Sequence, residues 1–438
     1  MTSEMEDVLL EVGNVFLNYI YIIPTVIIPF LLILYCAGKQ RRKAAFGTVI
    51  LFSVFMSVGI RLYAISAPRF TPNEFRFTID NSIKTFFGYW IILLKNYQVK
   101  GYKKYEIIDL KTNIPEKINI VYIIGESVNY KHMSLFGYER NTTPNLRNLA
   151  KESNFLYTQG ISSAIATLPA CKFIANAICE PDNVIQTSMD TTNLFKLAKQ
   201  KGFKTFYISS QSDHLLSAIG GISYIDIIVT KDSNTLKCNE LMDEYLFEIL
   251  SLQKFEDRNF IILHQRCIHS PYTKTFGKDY KNGNAFKGSN NKIVDEYDNA
   301  MLYNDYLIYR MFNFFNKQKE GKFYIIWASD HNELMGENGL YGHGHGYLLP
   351  ETADIPIVIQ SNDLDFLGRI RDLFRPTHYE IAKHIAGLLG YEVKNPNEEK
   401  DVFYISGVDY NGKCGYIRLR KDPVAQKVKY SEDKDPTS

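Results

Sequence analysis

The sequence predicts an α/β fold, a mostly parallel central sheet flanked by helices, behind an N-terminal two-helix membrane anchor. Three observations predict it. From residue 118 onward, short apolar runs alternate with stretches of helical period. Before residue 65 lie two long uncharged apolar runs. Finally, two of the apolar strands stop on metal-ligating side chains: Val121-Tyr122-Ile123-Ile124-Gly125 on Glu126, and Phe323-Tyr324-Ile325-Ile326-Trp327-Ala328-Ser329 on Asp330-His331. In open α/β sheets, ligands bind outside the carboxyl ends of the strands.

The anchor is read over residues 1–65. Residues 12–38 carry no charge, which is long enough for a span, and Ala44 to Ile60 forms a second run at the short limit, with Arg61 able to snorkel at its end. Between them, Lys39-Gln40-Arg41-Arg42-Lys43 is a short basic loop that belongs on the cytoplasmic side. The chain beyond about residue 65 is then expected outside the cytoplasm. A signal peptide would carry basic residues ahead of the apolar run, but Glu4, Glu6, Asp7 and Glu11 stand there.

Residues 66–117 read as a connector punctuated by Pro68, Pro72 and Pro115. Its aromatic middle, Ile83 to Leu94, suits either the membrane interface or a helix packed on the soluble domain. The catalytic domain is expected over 118–420. Its strands are predicted at 118–124, 203–208, 224–229, 259–263, 323–327 and 355–359, and its helices at 193–200, 240–252, 294–315 and 379–389. The charged tail 421–438 is expected to be disordered.

Composition excludes little but is informative. A formal net charge of +2 over 438 residues gives no ground for a nucleic-acid partner. Six cysteines without a Cys-x-x-Cys pair make neither a dense disulfide framework nor a zinc knuckle. An extracytoplasmic location would permit Cys171–Cys179 and Cys238–Cys267 pairing, while Cys36 lies in a span and Cys414 has no evident partner.

Four polar clusters sit at or after strand ends: Gly125-Glu126-Ser127; Ser162-Ser163-Ala164-Ile165-Ala166-Thr167-Leu168-Pro169; His264 to Tyr272; and Ser329-Asp330-His331 with the later Gly342-His343-Gly344-His345-Gly346. Each alone has an ordinary structural explanation. Together, Glu, Asp and His at two strand ends make a competent zinc set, and a nearby Thr or Ser hydroxyl becomes a nucleophile when its proton is weakened.

Here the chain resembles a known family. Gly125-Glu126-Ser127, the run His132-Met133-Ser134-Leu135-Phe136-Gly137-Tyr138 through Thr143-Pro144-Asn145-Leu146, Tyr297-Asp298-Asn299 through Asp305, and Ser329-Asp330-His331 through Gly344 are similar to the bacterial phosphoethanolamine transferases. These include the lipid A, lipooligosaccharide-core and mobile colistin-resistance enzymes of the alkaline phosphatase and sulfatase superfamily. The resemblance covers roughly residues 118–390. It implies zinc, one ion with a second left open, held by Glu126, Asp330 and His331. It implies His269 and His343 on the phosphoryl group or a second zinc, with Gln211 and His132 lining the substrate pocket. The implied partners are phosphatidylethanolamine as donor and lipopolysaccharide or lipid A as acceptor, at the bacterial inner membrane with the catalytic domain in the periplasm. The implied reaction passes through a phosphoethanolamine-threonine intermediate.

Two departures stand out. Matching the family's Ser-x-Pro step to Thr167-Leu168-Pro169 puts its reactive threonine at Ala164, which cannot attack phosphorus. Thr167 is the expected stand-in, with Ser162 and Ser163 behind it; otherwise the chain is an inactivated member. Family members also usually carry more membrane spans than the two read here. The rival readings are a phosphoglycerol transferase of the lipoteichoic acid synthase type, a phosphodiesterase of the same superfamily, and a membrane-anchored binding domain without catalysis. The Cys/Ser-x-Pro-x-Arg motif of formylglycine sulfatases is absent.

Overall fold

A computed structural model describes residues 103–433 apart from short gaps at 182–185, 187–189, 279, 281–282, 290, 318–319, 344–347 and 409–414. The two expected membrane spans, the aromatic stretch 83–94, Cys36, Cys414 and His345 lie outside the described residues. Among the described residues, no helix is long and apolar enough to cross a membrane.

The centre is one seven-stranded sheet. In chain order its strands are β2 (Ile118–Gly125), β3 (Phe155–Ile161), β4 (Lys204–Ser209), β5 (Ile227–Val229), β6 (Arg258–His264), β7 (Lys322–Ser329) and β10 (Asp354–Ser361). In space they run β3-β10-β7-β2-β6-β4-β5. The pairings β2–β6, β2–β7, β4–β6 and β4–β5 are parallel, as expected. The other edge is not: β10 runs antiparallel to both β7 and β3, so the sheet is mixed. Pro356 sits in β10 where pairing with β7 has not yet begun, since that ladder starts at Ile357↔Ala328. A residue without an N–H is tolerated there.

Strand β2 shows why the sheet must be covered on both faces. Every residue from Ile118 to Gly125 is buried. Side chains alternate along a strand, so Ile118, Ile120, Tyr122 and Ile124 enter one core while Val121 and Ile123 enter the other. Four helices close the first face: α2 (Thr167–Asn176), α3 (Leu194–Gln200), α6 (Leu364–Arg371) and α7 (His378–Leu388). The second face is closed by α1 (Pro144–Leu149), α4 (Glu244–Leu252) and the long α5 (Lys292–Asn316). The start of α7 is fixed by a capping box, in which Thr377 and Glu380 satisfy each other's backbone N–H groups.

Smaller strands complete the domain. The β1 strand (Glu106–Asp109) pairs with β11 (Tyr391–Lys394), so the end of the expected connector belongs to the folded domain. A hairpin with a five-residue loop joins the two-residue strands β8 (Leu334–Met335) and β9 (Tyr341–Gly342). The strands β12 (Val402–Ser406), β13 (Tyr416–Asp422) and β14 (Lys427–Asp433) form a three-stranded antiparallel sheet. Over residues 421–433 this corrects the expectation of a disordered tail; residues 434–438 lie outside the described residues. The charged residues alternate with buried Ile417 and Leu419 on β13, and the ladder with β14 satisfies the backbone.

The expected disulfides are also corrected. Cys171, Cys179, Cys238 and Cys267 are all free and buried. Their sulfurs turn to four separate partners: His264, Val402 O, Ser210 O and Ala300 O. Spacing in sequence made pairing feasible, but the helix carrying Cys171 aims it at the sheet.

Candidate active site

The two acidic strand ends lie side by side because β2 and β7 are adjacent and in register, Gly125 opposite Ser329. Directly after β2 the chain turns sharply. Ser127 takes φ 57°, a left-handed conformation that costs a non-glycine residue energy. Neighbours hold it there: its N–H donates to Asp330 Oδ1 at 3.0 Å and its carbonyl accepts from the Tyr297 hydroxyl at 2.8 Å. The same Asp330 oxygen accepts from the His331 N–H at 2.7 Å. One carboxylate oxygen thus ties the two strand ends together. The other, Oδ2, is buried with no hydrogen-bond partner and lies 3.3 Å from His331 Nε2.

Thr167 enters this cluster from a third element. It is the first residue of α2, after Ala166, whose side chain gives no cap. Its hydroxyl is 3.2 Å and 3.3 Å from the two Glu126 oxygens and 3.2 Å from His331 Nε2. Gln211, just past β4, donates to Glu126 Oε2 at 2.7 Å, and the Ser127 hydroxyl donates to Oε1 at 2.7 Å. Glu126, Thr167, Gln211, Asp330 and His331, read singly from distant sequence, are therefore brought together.

The ionisation of the cluster suits a bound cation. Glu126 is pushed well above the usual carboxylate range by burial and by the adjacent Asp330, and burial also raises Asp330. Among the described residues, their ion-pair partner is the His331 ring, which burial holds neutral. Two buried carboxylates without a fixed positive charge are costly. The His331 tautomer fits the same conclusion. Its Nδ1 lies 3.1 Å from the Asn332 carbonyl, which can only accept, so Nε2 keeps its lone pair toward Glu126 and Asp330. Glu126, His331 and His343 also offer ligand atoms all within 4.8 Å of one another. A divalent metal fits this donor set, including the orphaned Asp330 oxygen.

His343 arrives on the β8–β9 hairpin, whose last residue, Gly342, has φ 86° and turns the chain back toward Glu333. Its Nδ1 contacts the Glu333 carboxylate, and its ring lies 4.0 Å from that of His331, centroid to centroid. Burial lowers the His343 pKa, but the Glu333 contact outweighs it and the net shift is upward. Glu333 also accepts from the Tyr272 hydroxyl at 2.6 Å. His269 is exposed, with its ring 6.3 Å from His343. Both histidines line a cavity of about 660 Å³ that begins at Ala166, next to Thr167, and is walled by Tyr272, Glu296 and Tyr341.

Four expected residues lie elsewhere. His132 does not line the pocket; it contacts Asp298 at 2.7 Å and packs against Tyr138 and Tyr297. With Arg140 on the same Asp298, it fastens the segment after β2 to α5. Ala164 is fully buried and bridged to Ser406. Ser162 turns its hydroxyl to the backbone of Ala164 and Asp330, and the Ser163 N–H donates to His378 Nδ1. His378 was not foreseen. Its Nε2–H donates to the Ser329 carbonyl at 2.8 Å, bracing the end of β7 from α7. The Thr-x-x-Glu capping pattern around it was a readable sign of that helix start.

Comparison with known proteins identifies the family. The family model described as Sulfatase matches residues 118–391. Kdo(2)-lipid A phosphoethanolamine 7''-transferase of Salmonella typhimurium is 28% identical over 299 residues, 65% of this chain and 50% of that protein. Phosphatidylethanolamine transferase Mcr-1 of Escherichia coli is 25% identical over 258 residues, 54% of this chain and 47% of that protein. The chain spans about half the length of the curated relatives it matches. Among solved structures, the C-terminal periplasmic domain of EcEptC from Escherichia coli, in complex with Zn, superposes with a TM-score of 0.54 at 20% identity, covering 70% of this chain and 93% of that one. The integral membrane lipooligosaccharide phosphoethanolamine transferase A from Neisseria meningitidis gives 0.52 at 18%, covering 82% and 70%. At these identities the structures speak to the fold, that of the alkaline phosphatase and sulfatase superfamily. Because the match runs over more than half of its length, through the strand ends that carry Glu126, Asp330 and His331, the chain belongs to the sulfatase family.

Proposed function

We propose that this chain is a zinc-dependent phosphoethanolamine transferase. It moves phosphoethanolamine from phosphatidylethanolamine to a surface glycolipid, lipid A or lipopolysaccharide core, on the periplasmic side of a bacterial inner membrane. The observation that carries this reading is the Thr167 hydroxyl, 3.2 Å from both Glu126 Oε2 and His331 Nε2 at the first residue of α2. The names of the curated relatives supply the substrate class.

Glu126, Asp330 and His331 would hold the zinc, with His343 within reach. Zinc, when bound, supplies a Lewis acid that weakens the threonine O–H bond and offsets phosphoryl charge. Thr167 is the nucleophile. Its hydroxyl proton is directed at Glu126, which leaves an oxygen lone pair for phosphorus. Attack forms the Thr167 Oγ1–P bond as the hydroxyl proton passes to Glu126; the P–O bond to diacylglycerol breaks, and diacylglycerol takes up that proton and leaves as the alcohol. The α2 terminus, which has no side-chain cap, would supply N–H groups to the phosphoryl oxygens, together with His269 and His343. A hydroxyl or phosphate of the acceptor then displaces the phosphoethanolamine from Thr167, and the threonine is regenerated.

On this reading Ala164 marks no lost nucleophile. The reactive hydroxyl stands two residues before Pro169 rather than five. The test is Thr167→Ala in cells, with mass spectrometry of lipid A and core fractions. Loss of the phosphoethanolamine mass is expected. Transfer at the wild-type level would refute the assignment.

A further inference from the structure

The cavity beside Thr167 has walls of unequal character, and the mechanism above uses only one of them. His269 and His343 make the phosphoryl side. Other lining residues come from the first turns of α5 and include two tyrosines. Ile293 and Glu296, three residues apart on a helix, present one face to the cavity. The next residue, Tyr297, is fully buried and hydrogen-bonded to Ser127 O, so this turn of α5 is fixed relative to the strand end that carries Glu126. Tyr272 and Tyr341 border the same space. Tyr272 is oriented by Glu333, and Tyr341 accepts a hydrogen bond from Asn291 at 2.7 Å, just before α5 begins.

Charge in this cavity is unevenly satisfied. The Glu333 carboxylate is engaged by His343 and Tyr272. Glu296 has a weaker companion, Lys292, whose nitrogen lies 3.6 Å away and whose side chain is 89% exposed. A pair with one fully solvated partner contributes little. The cavity that holds His269 and His343 therefore also offers an anionic group and two tyrosines. That combination suits an alkylammonium ion, which a carboxylate attracts by charge and tyrosine faces by their quadrupole. A neutral glycerol headgroup would leave Glu296 uncompensated.

We propose that Glu296, with Tyr272 and Tyr341, forms the subsite for the ammonium end of the donor headgroup and sets the preference for ethanolamine over glycerol phospholipids. This rests on the transferase reading but adds a specificity determinant to it. The subsite binds and orients; Glu296 takes no part in bond making.

Binding and turnover separate the two claims. Isothermal titration of the full chain with O-phosphoethanolamine and with glycerol 3-phosphate should show about tenfold tighter binding of the former, the scale of one charge-assisted contact. Glu296→Gln should abolish that preference, and Lys292→Ala, which frees the carboxylate, should preserve or increase it. In transfer assays Glu296→Gln should raise KM for phosphatidylethanolamine about tenfold with a smaller change in kcat. Equal binding of both headgroups by the wild type, or an unchanged preference in Glu296→Gln, overturns the subsite. Selective binding of phosphoethanolamine by a chain that transfers nothing supports the subsite and contradicts the transferase reading.

Discussion

The Thr167 hydroxyl lies 3.2 Å from Nε2 of His331, across 164 residues of sequence. Thr167 opens a helix and His331 follows a strand, so nothing local brings them together. The contact exists because α2 packs on the β2–β7 face of the sheet and points its first residue at the strand ends. Several outcomes depend on it.

Metal content is the first. Purified full-length chain should carry about one zinc by elemental analysis. Asp330→Ala should lose it or bind it far more weakly, because the orphaned Oδ2 and the tether to Ser127 go together. A folded, metal-free wild type would sink the metal centre.

Ala164 and Thr167 should behave oppositely. Ala164 is fully buried at its bridge to Ser406, so Ala164→Thr adds a methyl and a hydroxyl to a buried site. It should cost about 1–3 kcal/mol of stability and bring no gain in transfer. Thermal unfolding and lipid mass spectrometry on the same sample would check both.

Gly125 should tolerate no side chain. A Cβ there would stand 2.8 Å from the Trp327 ring, itself pinned by its hydrogen bond to Gln265. Gly125→Ala should destabilise the domain by about 1–3 kcal/mol and weaken zinc binding, since Glu126 is the next residue. Urea unfolding together with zinc titration would detect it.

Acid should weaken the fold through two buried histidines outside the proposed ligand set. Burial lowers His264 and His378 from 6.5 to about 4. A depressed folded pKa means the unfolded chain binds the proton first. Their contribution is complete above pH 6.5 and is lost as pH falls toward 4, at up to about 1.4 kcal/mol per pH unit for each histidine. Urea midpoints at pH 7 and pH 5 should differ more in wild type than in His378→Gln, which keeps a donor for Ser329.

Much of this architecture was legible because period and burial coincide. The fully buried strand β2 reads as an unbroken apolar run, and α5 repeats its apolar face over seven turns' worth of sequence without a breaker. The edge was not legible. Phe155–Ile161 exposes Tyr157 and Gln159 and pairs antiparallel, so its pattern resembles a loop, and the direction of β10 leaves no mark in composition. Helix α2 hid for another reason. It has no side-chain N-cap, carries a proline in its first turn, and is buried almost all round, which erases the amphipathic period. That helix fixes which hydroxyl meets Glu126, so the carboxylates and imidazole at the strand ends were legible in sequence, while family spacing pointed to Ala164 and left Thr167 as a stand-in. The free thiols have the same origin. Cys171 and Cys179 are near in sequence, yet one faces His264 and the other Val402.

The central claim is that Thr167 carries the phosphoryl group. The most direct measurement is peptide mass spectrometry of the full-length chain after incubation with phosphatidylethanolamine and no acceptor. A phosphoethanolamine adduct is expected on Thr167, absent from Thr167→Ala. An adduct on Ser162 or Ser163, or undiminished transfer in Thr167→Ala, would contradict it.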